Sequence, residues 1–312
     1  MPAPAQPSAR AKAKASPVHD PLRPRNPLVK RRWLVGGIAF ILGGAFAALY
    51  FALALLFWQG QWQLIFHPSH LVATTPANAG VPFDDVRFDT TETGQALLDG
   101  WWVPAQASDS PASARAAASA TVLYLHDARG SLSDALPDIL ALHASGANVF
   151  AFDPRGYGRS EWVRPSEARW LDDAEAALAY LASLRHVPLQ NVVLVGRGLG
   201  GTAAANLTSH YPELRKLIMI DPQPPTLDLL EAPRWTHILP VRLLARDRFD
   251  PSHALKSQAV DKLFLLEPGS AAPPYVENAA APVNVVEGAT LADPRARAAL
   301  AQLLTQSLTS QR

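Results

Sequence analysis

The stretch that decides the fold is Asn191-Val-Val-Leu-Val-Gly-Arg-Gly-Leu-Gly-Gly-Thr202. Its first half is a continuous run of valine and leucine, which is typical of a strand buried on both faces. Its second half is rich in glycine, and small residues let a helix pack closely on the strand before it. A nucleotide-binding loop has similar glycines, but its motif belongs to a first βαβ unit with an acidic residue ending the next strand, a context this stretch lacks. The stretch therefore predicts a strand, a tight turn and a helix within an α/β sheet.

Apolar runs and helical patterns alternate through the rest of the 312-residue chain. Strands are predicted at residues 86–88, 96–103, 120–126, 148–153, 192–196, 216–221, 262–267 and 283–287. Helices are predicted at residues 132–144, 166–184 and 294–308 and from the turn to Tyr211, and a loop at residues 106–118. Buried strands separated by helices predict a mostly parallel, doubly wound sheet. The connection between Pro222 and Pro240 is short for an inserted lid, so we expect any cleft to be open.

Residues 33–58 contain no charged residue and consist mostly of leucine, alanine, phenylalanine, isoleucine and valine. The run is longer than the ~20 residues that cross a bilayer core, so we expect a transmembrane helix in contact with the lipid bilayer. Residues 1–32 are rich in proline, alanine and basic residues, and they are predicted to form a disordered tail. A cleaved signal peptide is the competing interpretation, but the basic leader and the apolar run are both long for one.

The charge distribution predicts an orientation. Basic residues before the apolar run place the tail in the cytoplasm and the globular residues 59–312 on the other side of the membrane. The alanine-, arginine- and proline-rich composition suggests a bacterial inner-membrane protein with a periplasmic domain. Cysteine is absent, so neither disulfides nor thiol chemistry are available. Acidic residues outnumber basic ones beyond residue 32, which argues against nucleic-acid binding.

Small residues recur at four-residue spacing in the apolar run, on two lines: Ala39, Gly43 and Ala47, and Gly44, Ala48 and Ala52. This spacing predicts a helix–helix contact face, through which the chain would form a homo-oligomer. The alternative is that these small residues face lipid in an alanine-rich protein.

Four stretches together resemble the α/β-hydrolase superfamily, over roughly residues 60–308. They are Leu123-Tyr-Leu-His-Asp-Ala-Arg-Gly-Ser-Leu132, Phe152-Asp-Pro-Arg-Gly-Tyr-Gly-Arg-Ser160, Leu194-Val-Gly-Arg-Gly-Leu-Gly-Gly201 and Leu243-Leu-Ala-Arg-Asp-Arg-Phe-Asp250. The second is similar to the family's D-x-R-G-x-G-x-S loop and is the most specific. The likeness is strongest to the membrane-anchored branch of serine-aminopeptidase-like and acyl hydrolase-like proteins. It implies the α/β-hydrolase fold with a minimal lid.

The resemblance also implies where a catalytic triad would stand. The family places a nucleophile at the centre of G-x-S-x-G, on a strained turn between strand and helix, and this chain has Gly198 there. Glycine keeps the turn but removes the reactive oxygen. The family's acid falls at or near Ser270, or at Asp250 if a strand at residues 241–246 precedes it.

The histidine of the triad would fall at Thr290 or Leu291. The last histidine in the chain is His253, only three residues beyond Asp250, which is too close to form the separate histidine loop of the fold. The base is therefore absent with either assignment of the acid. The turn that helps to build the oxyanion hole carries Asp127 in place of glycine, and its carboxylate would repel a developing oxyanion.

The sequence thus predicts a pseudo-hydrolase with no catalytic residues, which acts by binding a small molecule, lipid or protein, or as a scaffold in the cell envelope. We expect His126, Asp127, Asp153 and Leu199 to line its pocket, without a metal or other cofactor. The alternative is a hydrolase of ester, thioester or peptide substrates with a non-standard site, in which His126, Asp127 or Asp153 surrounds a water or a metal. His126 is also explained as a histidine that fixes its loop, and Asp153 as a residue that holds its own turn.

Overall fold

The computed structural model describes residues 30–89, 95, 97–105, 120–257 and 260–305. The chain divides into two compact units, Met1–Leu53 and Ala54–Arg312. The loop predicted at residues 106–118 lies outside the described residues, as does most of the tail at residues 1–32.

The first long helix, α1, runs from Arg31 to Gly60 and contains the whole apolar run 33–58. Most of its side chains are exposed. Among the described residues it is the one helix that is long and apolar enough to cross a membrane.

The globular unit is built on an eight-stranded sheet. Its strands are β1 (Asp84–Phe88), β2 (Leu98–Val103), β3 (Thr121–Leu125), β4 (Asn148–Asp153), β5 (Val192–Arg197), β6 (Lys216–Ile220), β7 (Asp261–Leu266) and β8 (Val283–Glu287). The spatial order is β1-β2-β4-β3-β5-β6-β7-β8. Only β2 runs antiparallel to its neighbours, and the other pairs are parallel. The predicted α/β-hydrolase fold with a mostly parallel sheet is confirmed.

Helices cover both faces of the sheet. They are α2 (Leu132–His143), α3 (Glu167–Ser183), α4 (Leu199–His210) and α5 (Pro294–Thr305). On one face, α2 and α5 share a buried core with side chains such as Val122 and Val193. On the other, Tyr180 of α3 stacks on Phe150, with ring centroids 4.9 Å apart. The central strands are buried on both faces, which explains their continuous apolar sequences.

Between β6 and β7 the chain forms short helices instead of a strand. They are Thr226–Glu231, Arg234–Ile238, Val241–Leu244 and Ser252–Ser257. The strand proposed as an alternative at residues 241–246 is therefore wrong. Its apolar run follows Pro240 and makes one helical turn, and Gln61 hydrogen-bonds to its end at Leu244 and Arg246. Short apolar runs of this kind fit a strand or a helix equally well by periodicity.

Candidate functional site

The turn between β5 and α4 has the strained backbone of a strand-to-helix elbow, with a glycine at its centre. Gly198 adopts φ 52° and ψ −119°, a region that residues with a side chain rarely occupy. Its N–H donates to the carbonyl of Ile220 at 2.9 Å, which ties the turn to the neighbouring strand β6. A Cβ at Gly200 would clash with the carbonyls of Leu125 and His126, so this glycine lets α4 lie close to the end of β3.

The carboxylate of Asp127 occupies the space above the turn. A Cβ built on Gly198 would clash with Oδ1 of Asp127. It would also lie 3.1 Å from the side-chain nitrogen Nε2 of Gln223. The same Oδ1 accepts the backbone N–H of Leu199 at 3.1 Å. A negative charge is favourable at this point because the first N–H groups of α4 are unsatisfied and carry the positive end of its dipole. The aspartate thus fills the position of the missing side chain.

His126 lies beneath this carboxylate and is enclosed, with 2% of its surface exposed. Its Nδ1 is 2.6 Å from the carbonyl oxygen of Asp127, and a carbonyl only accepts, so Nδ1 carries a proton. Its Nε2 faces Oδ1 of Asp153 at 3.3 Å. The ring also packs against Tyr157, with centroids 5.1 Å apart. Nδ1 is therefore bound inside the protein, whereas Nε2 is buried and forms no hydrogen bond within the described residues.

Asp153 is completely buried at the end of β4, and its contacts hold neighbouring loops. Oδ1 accepts the N–H of Leu132 at 2.9 Å, and its carbonyl accepts the hydroxyl of Ser160 at 2.5 Å. The hydroxyl of Tyr157 donates to Ala128 at 2.8 Å, and burial together with the charges of Asp127 and Asp153 raises the pKa of this phenol.

A cavity of about 500 Å³ opens beside Asp127 at the carboxyl edge of the sheet. It is lined by Tyr124, His126, Asp127, Arg129, Ser131, Asp134, Ala135, Pro137, Asp138, Ala141, Arg197, Glu267, Thr290, Leu291 and Ala292. Of the predicted pocket residues, His126 and Asp127 line this cavity, whereas Asp153 and Leu199 do not. Leu199 is buried and contributes its N–H to Asp127.

One wall of the cavity is a polar network centred on Arg197. Its guanidinium binds both oxygens of Asp138, at 2.5 and 2.9 Å, and Oε1 of Glu267 at 2.8 Å. The buried hydroxyl of Tyr124 donates to Asp138 at 2.7 Å. Although burial opposes the charge, the carboxylates of Asp138 and Glu267 raise the pKa of Arg197. Burial and Asp138 raise the pKa of Tyr124.

The two carboxylates and the histidine considered for a metal do not converge. Within the described ranges, no group of three histidine, aspartate or glutamate side chains is placed to hold a metal ion. The carboxylate of Asp127 points to Leu199, away from the pair formed by His126 and Asp153. This placement argues against the hydrolase alternative that surrounds a metal with these side chains.

Comparison with known proteins agrees with the fold that the strand order describes. A family model described as alpha/beta hydrolase fold matches residues 123–281, about half of the chain. The chain belongs to the α/β-hydrolase fold family.

Relatives within this family are uncharacterised or distant. YfhR of Salmonella typhimurium, an uncharacterised protein, is 33% identical over 146 residues, which are 46% of each chain. YfhR of Escherichia coli K12 is 36% identical over 120 residues, 38% of this chain and 40% of that protein. The matched part thus spans less than half of these relatives. The esterase Pf2001 of Pyrococcus furiosus is a structural neighbour with a TM-score of 0.58 and 17% identity, over 78% of this chain and 98% of that one. At this identity the likeness shows the fold alone.

The positions predicted for the acid and the histidine of the family lie in loops, most of them exposed. Ser270 is exposed in the turn after β7, and its N–H donates to the carbonyl of Glu267 at 3.0 Å. Thr290, after β8, is exposed at the edge of the cavity, and Leu291 beside it is buried. Asp250 follows no strand, and its carboxylate accepts the N–H of Ser252 at 2.9 Å.

Three residues of the arginine network were missed by the sequence analysis, although the pattern contains a signal for two of them. Arg197 ends the apolar run of β5, and Glu267 directly follows β7. Charged residues at the carboxyl ends of parallel strands meet at one edge of the sheet, and here Arg197 and Glu267 meet across the end of the intervening strand β6. Asp138 has no such signal, since it lies inside the apolar helix α2.

Proposed function

We propose that this protein is a membrane-anchored member of the α/β-hydrolase fold family that binds its ligand without cleaving it. The observation that carries the proposal is the position of Asp127. Its carboxylate fills the space of a nucleophile side chain at residue 198, and it takes the N–H of Leu199 that α/β hydrolases use for the oxyanion. A carboxylate there excludes both the attacking group and the developing negative charge.

No described residue beside the turn is arranged as a replacement base. His126 borders the cavity but is only 2% exposed, its Nδ1 is bound to the carbonyl of Asp127, and its Nε2 faces the buried carboxylate of Asp153. The predicted histidine position of the family, Thr290 or Leu291, holds no base. Loss of the nucleophile together with the base removes the proton-transfer pair, which is worth about a million-fold in rate in serine hydrolases.

The cavity beside Asp127 supports the binding role. It is large enough for a small polar molecule, and its lining combines carboxylates, arginines and hydroxyls. We propose that α1 anchors the protein as a single-pass helix in a bacterial inner membrane, with the globular unit in the periplasm. The length and apolar surface of α1 and the basic residues before it support this placement.

The test of inactivity uses the full chain in detergent. A fluorophosphonate probe is read by intact mass, and p-nitrophenyl butyrate hydrolysis is measured in parallel with an active serine hydrolase. We expect neither an adduct nor turnover above background, for the wild type and for Gly198→Ser/Asp127→Gly, which restores the serine and removes the obstructing carboxylate. A stoichiometric adduct on the wild type would contradict the proposal, and the labelled peptide would identify the nucleophile.

Binding is tested by native mass spectrometry of the full chain, released from nanodiscs prepared from its own membranes. We expect a retained small-molecule mass on the wild type and its loss in Ala141→Trp, which fills part of the cavity. The control is Ala168→Trp, at an exposed position outside this cavity. Equal retention in both variants would place binding elsewhere and overturn the assignment of the cavity.

A further inference from the structure

The end of α1 is built into the globular unit. The unit begins at Ala54, so the last turns of the helix pack as part of it. Gln61, directly after the helix, is completely buried. Its amide nitrogen donates to the carbonyls of Trp58 at 3.1 Å and Leu244 at 2.9 Å, and its oxygen accepts the N–H of Arg246 at 2.9 Å. These bonds fix the segment around residues 244–246 to the helix end.

Residues that precede this segment also contact the helix, one turn before Gln61. Phe57 packs edge-on against Trp235, with ring centroids 6.0 Å apart. Phe57 precedes Gln61 by one helical turn, about 6 Å along the axis. The surface between residues 234 and 246 therefore lies beside the final turn of α1.

This surface is apolar and exposed where a soluble domain would be polar. Trp235, Ile238 and Leu243 are 48%, 62% and 81% exposed. Contiguous exposed apolar side chains mark a surface that contacts a partner or a membrane. Residues 234–246 also contain three arginines and no acidic residue. Tryptophan, leucine and arginine together are typical of segments that lie in the interface of a bilayer.

Two guanidinium groups lie over tryptophans, one at the end of the apolar run and one just beyond it. Arg246 is 5.0 Å from the ring centre of Trp58, and Arg164 is 5.4 Å from that of Trp62. In the part of the chain that the structure describes, neither guanidinium forms an ion pair. Two carboxylates lie nearby without an ion pair to either guanidinium: Asp247 accepts the N–H of Glu167 at 2.8 Å, and Glu167 accepts the N–H of Arg248 at 2.7 Å. The charge of Asp247 nevertheless acts on Arg164.

We propose that residues 234–246 lie in the headgroup layer of the membrane that α1 crosses, an inference that rests on the proposed membrane anchor. Trp235, Ile238 and Leu243 enter the boundary of the acyl chains. Arg164 and Arg246 face the phosphates of anionic phospholipids, to which arginine donates in a planar fork. The globular unit is thereby held against the bilayer at a second point beside its helix.

The absence of cysteine makes this proposal accessible to site-specific labelling. The full chain carries one cysteine with an environment-sensitive fluorophore, either Leu243→Cys or the control Leu184→Cys, in nanodiscs of phosphatidylcholine and phosphatidylglycerol at four to one. Leu184 is a similarly exposed leucine, 68%, and follows α3, whose first turn at Glu167 lies near Arg248. α3 is about 25 Å long, so Leu184 lies about that far from Glu167.

We expect iodide to quench the label at position 243 several-fold less than the label at position 184. Equal quenching at the two positions, in protein that resists alkaline extraction, would overturn the docking surface and leave the anchor intact. Extraction of the full chain by alkali would instead refute the anchor and the docking surface together. Neither outcome changes the hydrolase assay or the ligand-retention measurement. A failure of the proposed binding function is therefore distinguished from a failure of the docking surface.

The arginines are tested on the Leu243→Cys background. Replacing phosphatidylglycerol with phosphatidylcholine should increase quenching at position 243, and Arg164→Ala/Arg246→Ala should abolish that difference. Arg185→Ala is the matched control, because Arg185 also stacks on a tryptophan, Trp102, at 4.8 Å but is paired with Asp84. A lipid dependence that survives in the double variant would refute the role of these two arginines.

Discussion

Oδ1 of Asp127 and the backbone nitrogen of Leu199 lie 3.1 Å apart, joined by a hydrogen bond across the turn where α/β hydrolases carry their nucleophile. This bond has two consequences for stability. It satisfies an N–H at the start of α4, and it holds a carboxylate in the space that a side chain at Gly198 would need. The two positions are therefore coupled, and the coupling is measurable.

Substitution Gly198→Ser is expected to destabilise the protein and to leave it inactive. The serine must adopt a strained backbone conformation and displace Asp127, at a cost of about 2–5 kcal/mol in the free energy of unfolding. Urea unfolding of the full chain in detergent measures this cost. Gly288→Ser is the control, because Gly288 has φ 65° and open space around its Cβ position. An equal loss in both variants would mean that the clash with Asp127 contributes nothing.

Substitution Asp127→Ala alone is expected to cost about 1 kcal/mol, since the N–H of Leu199 loses its acceptor. In the double variant Asp127→Ala/Gly198→Ser, the methyl group of the alanine replaces the carboxylate and leaves room for the serine. The double variant should therefore be more stable than the sum of the single changes predicts, by at least about 1 kcal/mol. Additive losses in the double-mutant cycle would argue against the steric coupling of the two positions.

The carboxyl group of Asp99 predicts how the free energy of unfolding changes with pH. Asp99 is buried on β2, and burial raises its pKa from 3.8 to about 6, against the opposing charge of Arg159. The unfolded chain releases this proton near pH 4, whereas the folded protein holds it until about pH 6. The contribution of Asp99 to stability is thus present in full below pH 4 and is lost as the pH rises towards 6.

The measurement compares urea unfolding of the wild type and Asp99→Asn between pH 4 and pH 7. The wild type should lose about 1–2 kcal/mol more than the variant over this window, after allowance for solvent screening. Above pH 7 the difference between the two proteins should stay constant. Parallel pH profiles from pH 4 to pH 7 would contradict the raised pKa.

The fold was predictable because its central strands are buried on both faces, so the apolar runs at β3, β5 and β6 stand out in the sequence. The turn at Gly198 was predictable because backbone contacts between β5 and α4 require glycines at fixed positions along the sequence. The helical segment at Val241–Leu244 was open to a strand interpretation, since a run of that length has no decisive period. Its conformation depends on the buried contacts of Gln61, which is distant in sequence.

The candidate site was only partly predictable. The replacement of the nucleophile by Gly198 and the presence of Asp127 in the oxyanion turn follow from aligned motifs. The bond from Leu199 to Asp127 does not, because it depends on a side-chain rotamer chosen in three dimensions. The network of Arg197, Asp138 and Glu267 joins strand ends and a helix far apart in the chain, and no local pattern encodes that meeting.

This network provides a further test, through Arg197→Met. The guanidinium neutralises the carboxylates of Asp138 and Glu267 at the wall of the cavity, at 2.5 and 2.8 Å. Asp138 is the more buried of the two, so its negative charge depends more on this partner. Removing one partner of such a group leaves unpaired charge, which costs about 3–5 kcal/mol when the group is buried and less at a partly open wall. We expect a loss of about 2–4 kcal/mol in the free energy of unfolding. Arg242→Met is the matched control, because Arg242 pairs with Glu231 at 2.9 Å on the exposed surface, where loss of an ion pair has a much smaller effect on stability. Equal effects of the two substitutions would show that the wall of the cavity tolerates unpaired carboxylates, and the network would then have no structural role.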